Sequence, residues 1–509
     1  MKCLAKRSMT AALMTVGFCA GTQAQPAATP PTPAPYAPEA APKPAPAAPP
    51  AWAPPAYQVL RYNEDWSTLK SQPADGPTDF FDPIKHVPLN DDGSIWASFG
   101  GQLRLRFESW DGFNFGAPGT ADNEDAFVLT RFLFHSDLHI GPNIRIFAEG
   151  KSAVATERDL LGGNRTLDND HLDLQNGFID VMFPLFDSAK VTLRAGRQEL
   201  LFGKQRLVSP LDWANVRRTF DAVSAIVKVG DWTFTPFWSQ PVIVQKYDFN
   251  DFFDGDQDFF GLHATGKIPF LAAGIDLYYY GLDKDAVTFN GLTTSTTAFN
   301  GTAGDEERHT LGGRLWGKIG SSDFDYDLEG AYQFGEVGAG DVSAFMVASQ
   351  LGYTFTQVGG KPRLFVGFDY ASGDKATGGD VETFNQLFPL GHLYFGWIDQ
   401  IGRQNIIDFS AGVTIKPVAA LTIDLHLHYF LRAEDTDALY NAGGGVARAP
   451  GVGLSDEIGT EIDLLIKYQI DRHMEVSFGY SHLFAGDFIS ESGPDEDIDF
   501  VYVAFQFTF

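Results

Sequence analysis

The chain has 509 residues, with 37 Lys and Arg against 65 Asp and Glu for a formal net charge of −28. That balance speaks against nucleic acid as a partner, and 2 cysteines are too few for a disulfide scaffold. Despite 44 Phe and 17 Tyr, no uninterrupted apolar stretch after residue 24 nears the roughly twenty residues of a membrane-crossing helix.

At the N-terminus, Lys2, Lys6 and Arg7 precede a short apolar run, Ala11 to Gly21, and the small-x-small end Thr22-Gln23-Ala24. This is the pattern of a signal peptide over 1–24. Cys19 follows Phe18, where lipoprotein cleavage requires a small residue. Cys3 and Cys19 both fall in the leader, so the mature chain is expected to carry no thiol chemistry. Residues 25–56 are almost wholly Pro and Ala, which cannot bury a core and favour extended polyproline II geometry, as in a periplasmic spacer. Residues 57–94 are mixed, with Trp66, Phe80 and Phe81, and read as an ordered lead-in packed near a barrel mouth.

From Ile95 onward, segments of about ten residues with alternating polarity recur to the terminus, from 95–109 to 498–509. In a bilayer without helices only a closed β-barrel satisfies every backbone amide and carbonyl. The expected fold is therefore all-β, a single transmembrane antiparallel β-barrel of about 18 strands over 95–509. Short turns such as Gly141-Pro142, Gly230-Asp231 and Asp471-Arg472 alternate with long links at 155–172, 203–219, 245–258, 285–308, 372–404 and 433–457. That alternation assigns turns to the periplasm and loops to the medium. The last strand, Val501 to Phe509, is apolar at every second residue and ends on an aromatic. Such an ending resembles the signal read by the barrel-assembly machinery of Gram-negative bacteria, which places the chain in the outer membrane.

The same alternation divides lipid from lumen. Phe99, Leu103, Leu105 and Phe107 oppose Gln102, Arg104, Arg106 and Glu108; Phe132, Phe134 and Leu138 oppose Arg131, His135, Asp137 and His139. Arg145 lies inward in the next strand, and Arg194, Arg314, Arg432 and Lys467 follow on later polar faces with acids such as Asp325, Asp327, Glu329, Asp424, Glu461 and Asp463. So many ions indicate a wet lumen. They serve either as a conduit with basic groups at its constriction or as ion pairs that prop the barrel open. The block Gly203 to Thr219 mixes Lys204, Arg206, Arg217 and Arg218 with Leu207, Leu211 and Trp213, and is expected to bend into the barrel and narrow it.

Acid clusters fall in the expected outer loops, among them Asp248, Asp251, Asp254, Asp256 and Asp258. They would share divalent cations with lipopolysaccharide phosphates or simply form a solvated surface. No EF-hand spacing is present, and His426 and His428 lack a third ligand, so no metal and no cofactor is expected. An outer-membrane hydrolase is the competing class, but no serine sits in a G-x-S-x-G elbow.

Several blocks together resemble the alginate-export family of outer-membrane porins. They are Gly100-Gly101-Gln102-Leu103-Arg104-Leu105-Arg106-Phe107-Glu108, Arg194-Ala195-Gly196-Arg197-Gln198-Glu199-Leu200, Gly203-Lys204-Gln205-Arg206-Leu207, Asp212-Trp213-Ala214-Asn215 and Arg217 to Ala222. Downstream stand Ala371-Ser372-Gly373-Asp374, Thr383 to Pro389 and Gly402-Arg403-Gln404-Asn405. The resemblance implies a monomeric barrel whose narrow lumen is lined by Arg and Lys and partly closed by long loops. It carries Arg104, Arg131, Arg197, Arg206 and Arg314 over as pore-lining bases, with Asp212 and Asp221 as orienting acids. Arg106, Arg145 and Arg194 complete the expected pore lining. The expected function is passive, non-enzymatic passage of anionic polysaccharide or sugar acids, alginate-like. The alternatives are uptake of other small organic anions and, further off, a barrel hydrolase.

Overall fold

The computed structural model describes residues 53–509 apart from 74–75, 77, 117–122, 187, 270–272, 290–291, 295–303, 377–378 and 452. The expected signal peptide (1–24) and most of the expected spacer (25–56) lie outside these residues.

The alternating segments form long antiparallel strands: β1 (Ile95–Asp111), β2 (Asp125–Ile140), β3 (Ile144–Ala155), β4 (Asp170–Leu185), β5 (Ala189–Gln198) and β6 (Phe220–Val229). The next six are β7 (Trp232–Ile243), β8 (Gln257–Ile268), β9 (Ala273–Lys284), β10 (Glu306–Lys318), β11 (Phe324–Val337) and β12 (Gly340–Thr354). The last are β13 (Arg363–Ala371), β14 (Ile406–Val418), β15 (Leu421–Arg432), β16 (Glu457–Gln469), β17 (Met474–Ala485) and β18 (Ile498–Thr508). One sheet of 20 strands holds them all; the other two are the two-residue ribbons Val87–Pro88 and Phe252–Phe253, which leaves 18 in the barrel. β1 pairs with β18 from Gln102↔Thr508 to Asp111↔Asp499, and that seam closes the ring.

Burial is inside-out, as a bilayer requires. Phe132, Leu311 and Val366 are 45%, 60% and 58% exposed on the outer face, whereas the inward Arg131 and His135 are 1% and 2% exposed. One part of the lumen departs from the polar lining expected. β6 to β9 turn Phe220, Phe237, Phe259, Tyr278, Tyr280 and Leu282 inward, all buried in one apolar cluster. Their segments carry runs such as Phe259-Phe260 and Tyr278-Tyr279-Tyr280, apolar on both faces like strands covered on both sides. What covers them here is loop.

Phe132 stands halfway along β2 on the lipid face, so Phe132→Arg is expected to destabilise the barrel by about 2–4 kcal/mol, read by reversible urea unfolding in lipid vesicles.

Candidate solute pathway

β5 stops at Gln198, and residues 199–219 turn into the barrel before β6 begins at Phe220. Leu207, Val208 and Val216 on the loop are buried, and the first two dock against Phe220, Phe237 and Phe259. A loop inside a lumen must also satisfy its backbone, and arginines of β1 and β2 do so. Arg104 donates to the carbonyls of Asp212 and Ala214, both at 2.8 Å. Arg131 donates to the same two carbonyls at 2.9 and 3.0 Å and to the Asp212 carboxylate at 2.9 Å. Arg106 donates to the Trp213 carbonyl at 2.6 Å, and its guanidinium lies 3.8 Å over the Trp213 ring. Burial opposes ionisation of Asp212, but Arg131, Arg217 and Arg104 outweigh it and hold this carboxyl well below the usual range.

A second loop, residues 372–405, meets the first inside the barrel. Val208 and Phe388 form a parallel bridge, with Phe388 N donating to Leu207 O and Ser209 N to Phe388 O, both at 2.9 Å. Further along, the amides of Trp397 and Ile398 donate to Asp463 and Glu461 of β16 at 3.3 and 3.0 Å. Gly396 makes that approach possible: its φ is +75°, and a Cβ there would lie 2.2 Å from the Glu461 carboxyl carbon.

The two loops split the lumen. On the outer side lies a vestibule of about 450 Å³ reached by Arg106, Arg158, Trp213, Arg218 and His392. On the periplasmic side, against β11 to β16, lies a cavity of about 280 Å³ reached by Lys204, Arg363, Trp397, His426 and Lys467. Between them Trp213 and His392 stack with centroids 3.7 Å apart, and Arg206 sits 4.9 Å over the Tyr394 ring.

Eight of the ten expected pore-lining residues reach this interior, but as partners of other groups. Arg104, Arg106, Arg131 and Asp212 make the loop clamp. Arg145 and Arg194 are forked onto Asp137 and Asp180 with nearest contacts of 2.6 and 2.7 Å. Arg197 and Asp221 are not pore-lining: they grip each other at 2.9 Å on the outer face, in register beside the inward pair Gln198 and Phe220 and on the side of the exposed Leu193 and Val223, because alternation turns them away from the lumen. Arg206 reaches Asp327 and Glu329 at 3.0 and 2.8 Å, while Arg314 reaches Asp327 and Asp276 at 2.6 and 3.1 Å. Among the described residues, the vestibule is lined by two guanidiniums whose hydrogen bonds go only to carbonyls. Arg158 donates to Leu160, Leu161 and Gly163, and Arg218 to Ser209 and Pro389. Burial alone pushes Arg218 down to about 10. Arg158 escaped sequence reading because it stands between Glu157 and Asp159, where a lone basic residue looks like part of a solvated surface.

Carboxylate oxygens of Asp170, Asp173 and Asp251 converge closely enough to hold a metal ion. The ammonium of Lys151 already sits among them, 2.6 Å from Asp170 and 2.7 Å from Asp251, and supplies the positive charge. His428 Nδ1 is 3.0 Å from Asp408, a structural pairing rather than a ligand set.

A model of the alginate export family matches residues 95–502. The chain belongs to that family. No curated protein sequence matches it. In fold it is similar to Pseudomonas aeruginosa OccK11 (OpdR), at 12% identity and TM-score 0.51, over 84% of this chain and 98% of that one. It is similar also to P. aeruginosa OpdK, in a structure with vanillate, at 11% identity and TM-score 0.52, over 81% and 98% of the two chains. OccK8 (OprE) of the same organism matches at 13% identity and TM-score 0.52, again over 81% and 98%. This alginate-export-family porin is thus a barrel of the bacterial outer membrane.

The clamp makes a direct prediction. Arg104→Ala with Arg131→Ala removes every side-chain donor to the Asp212 carbonyl, so the inward loop should loosen and single-channel conductance should rise severalfold, with the folded barrel retained on heat-modifiable electrophoresis.

Proposed function

We propose that this porin passes anionic sugars or sugar acids of the alginate type, passively and without chemistry, and that the solute is met in the outer vestibule. The observation that carries this reading is the pair Arg158 and Arg218. Most other bases in the lumen face a carboxylate, and a neutralised cation attracts little. These two pair with no carboxylate among the described residues. A uronate offers one carboxylate for a guanidinium fork. Arg104, Arg106 and Arg131 act one step back, by fixing the loop that bears Arg218 and Trp213. The buried histidines serve structure, since His428 pairs with Asp408 and His263 Nδ1 lies 2.8 Å from the Tyr280 hydroxyl; this favours a conduit over a hydrolase. We infer further that the chain works as a monomer and is inserted by the barrel-assembly machinery through its terminal strand.

A second reading, uptake of small organic anions, is favoured by the vestibule's volume of about 450 Å³, a size suited to a compact ligand.

Block of ion current by uronate oligomers tests the proposal. A charge-assisted hydrogen bond contributes about 1.5–3 kcal/mol, so Arg158→Ala and Arg218→Ala should each raise the half-blocking concentration about tenfold or more, at about 1.4 kcal/mol per tenfold. Neutral oligomers that block as well as uronates would overturn it. Block by monomeric carboxylates alone would favour the second reading.

A further inference from the structure

The stretch 55–71 rises into the periplasmic mouth and is held there by buried polar contacts. Tyr62 is 5% exposed, edge-on to Phe147 and Phe178 with centroids at 5.6 and 5.1 Å, and its hydroxyl donates to the Glu199 carbonyl at 2.8 Å. Arg61 is 4% exposed and spans the seam, donating to Gly101 O of β1 at 2.8 Å and to Phe509 O beyond β18 at 2.9 Å. Glu64 pairs with Arg61 at 2.6 Å and accepts from the Trp66 indole at 2.9 Å. Lys85, just downstream, donates to Phe99 O at 2.9 Å. Gly100 leaves the space for it, since a Cβ there would lie 2.5 Å from the Lys85 nitrogen. That is a physical reason for a glycine at this place in the first strand.

Two consequences follow from the geometry. Arg61 needs a carbonyl from each side of the seam, so the segment can dock only on a closed barrel. Its far end also touches the constriction loop, because Arg217 donates to the Val59 carbonyl at 3.0 Å while its own guanidinium pairs with Glu199 at 2.7 Å and Asp212 at 3.3 Å. The mouth contact and the loop clamp are therefore one connected network. The periplasmic cavity lies elsewhere, against β11 to β16.

We propose that residues 55–71 are an intramolecular stopper. It closes the side of the periplasmic mouth bounded by the seam and β3 to β5, and holds the constriction loop in its narrow position through Arg217. Its withdrawal would widen the path at both places.

The full mature chain in planar bilayers tests this, with Tyr62→Ala, Tyr62→Phe and deletion of residues 55–71. Both Tyr62→Ala and the deletion should raise unitary conductance at least twofold, whereas Tyr62→Phe, which keeps the ring packing, should stay near the parent. Trypsin should spare Arg61 in the parent and in Tyr62→Phe, and cut there in Tyr62→Ala. Equal conductance in the parent and the deletion variant would overturn the stopper. So would a deletion variant that forms no barrel, since the segment would then be a fixed part of the wall. The proposal rests on the conduit reading: a chain that conducts no ions with or without residues 55–71 overturns that reading, whereas equal nonzero conductances overturn the stopper alone.

Discussion

Backbone hydrogen bonding in lipid is the constraint from which the molecule follows. Each unpaired amide or carbonyl in the hydrocarbon region costs several kcal/mol, so a strand-built protein must close on itself, and here it does so along β1 and β18. Closure with 18 strands leaves an aqueous channel where an eight-stranded barrel would be filled by its own side chains. A channel that wide discriminates poorly unless something occupies it. The loop at 199–219, the loop at 372–405 and the segment at 55–71 all enter that space, and each must then satisfy its own backbone and charges inside it.

Arginine serves this second requirement well. Its fork donates along fixed directions, so Arg104 and Arg131 hold two carbonyls of the same loop from neighbouring strands, across the pair Arg104↔Arg131. Elsewhere the fork meets carboxylates on adjacent strands, as with Arg145 on Asp137 and Arg194 on Asp180. Such pairs offset desolvation more than they add stability. Their service is positional: they set where the loops lie, and so which few charges remain open to a solute.

Much of the barrel was legible from period two alone, because lipid forces the outward residues to be apolar whatever the rest of the chain does. The inward course of Gly203 to Thr219 was legible too, since Leu207 and Trp213 among four bases suit a docked segment better than a solvated tip. The pairing of the lumenal arginines was not. Arg206 meets Glu329 from a strand 123 residues away, a relation that alternation does not encode. The apolar wall of β6 to β9 was equally hidden, because a lumen-facing Phe259 and a lipid-facing Phe260 look alike until the loop covering one of them is placed. The packing of residues 57–66 near the barrel mouth was legible from Tyr57, Leu60, Tyr62 and Trp66, but the contacts of Arg61 to the Gly101 and Phe509 carbonyls across the seam were not.

The most direct test is a reversal potential in a salt gradient across a bilayer holding the unmodified chain. Fixed charges in the acidic loops are screened beyond about 10 Å at 0.1 M salt, whereas on the proposed route a permeating ion passes beside Arg158 and Arg218. Anion preference, despite a net charge of −28, is the expected result; cation preference would contradict it.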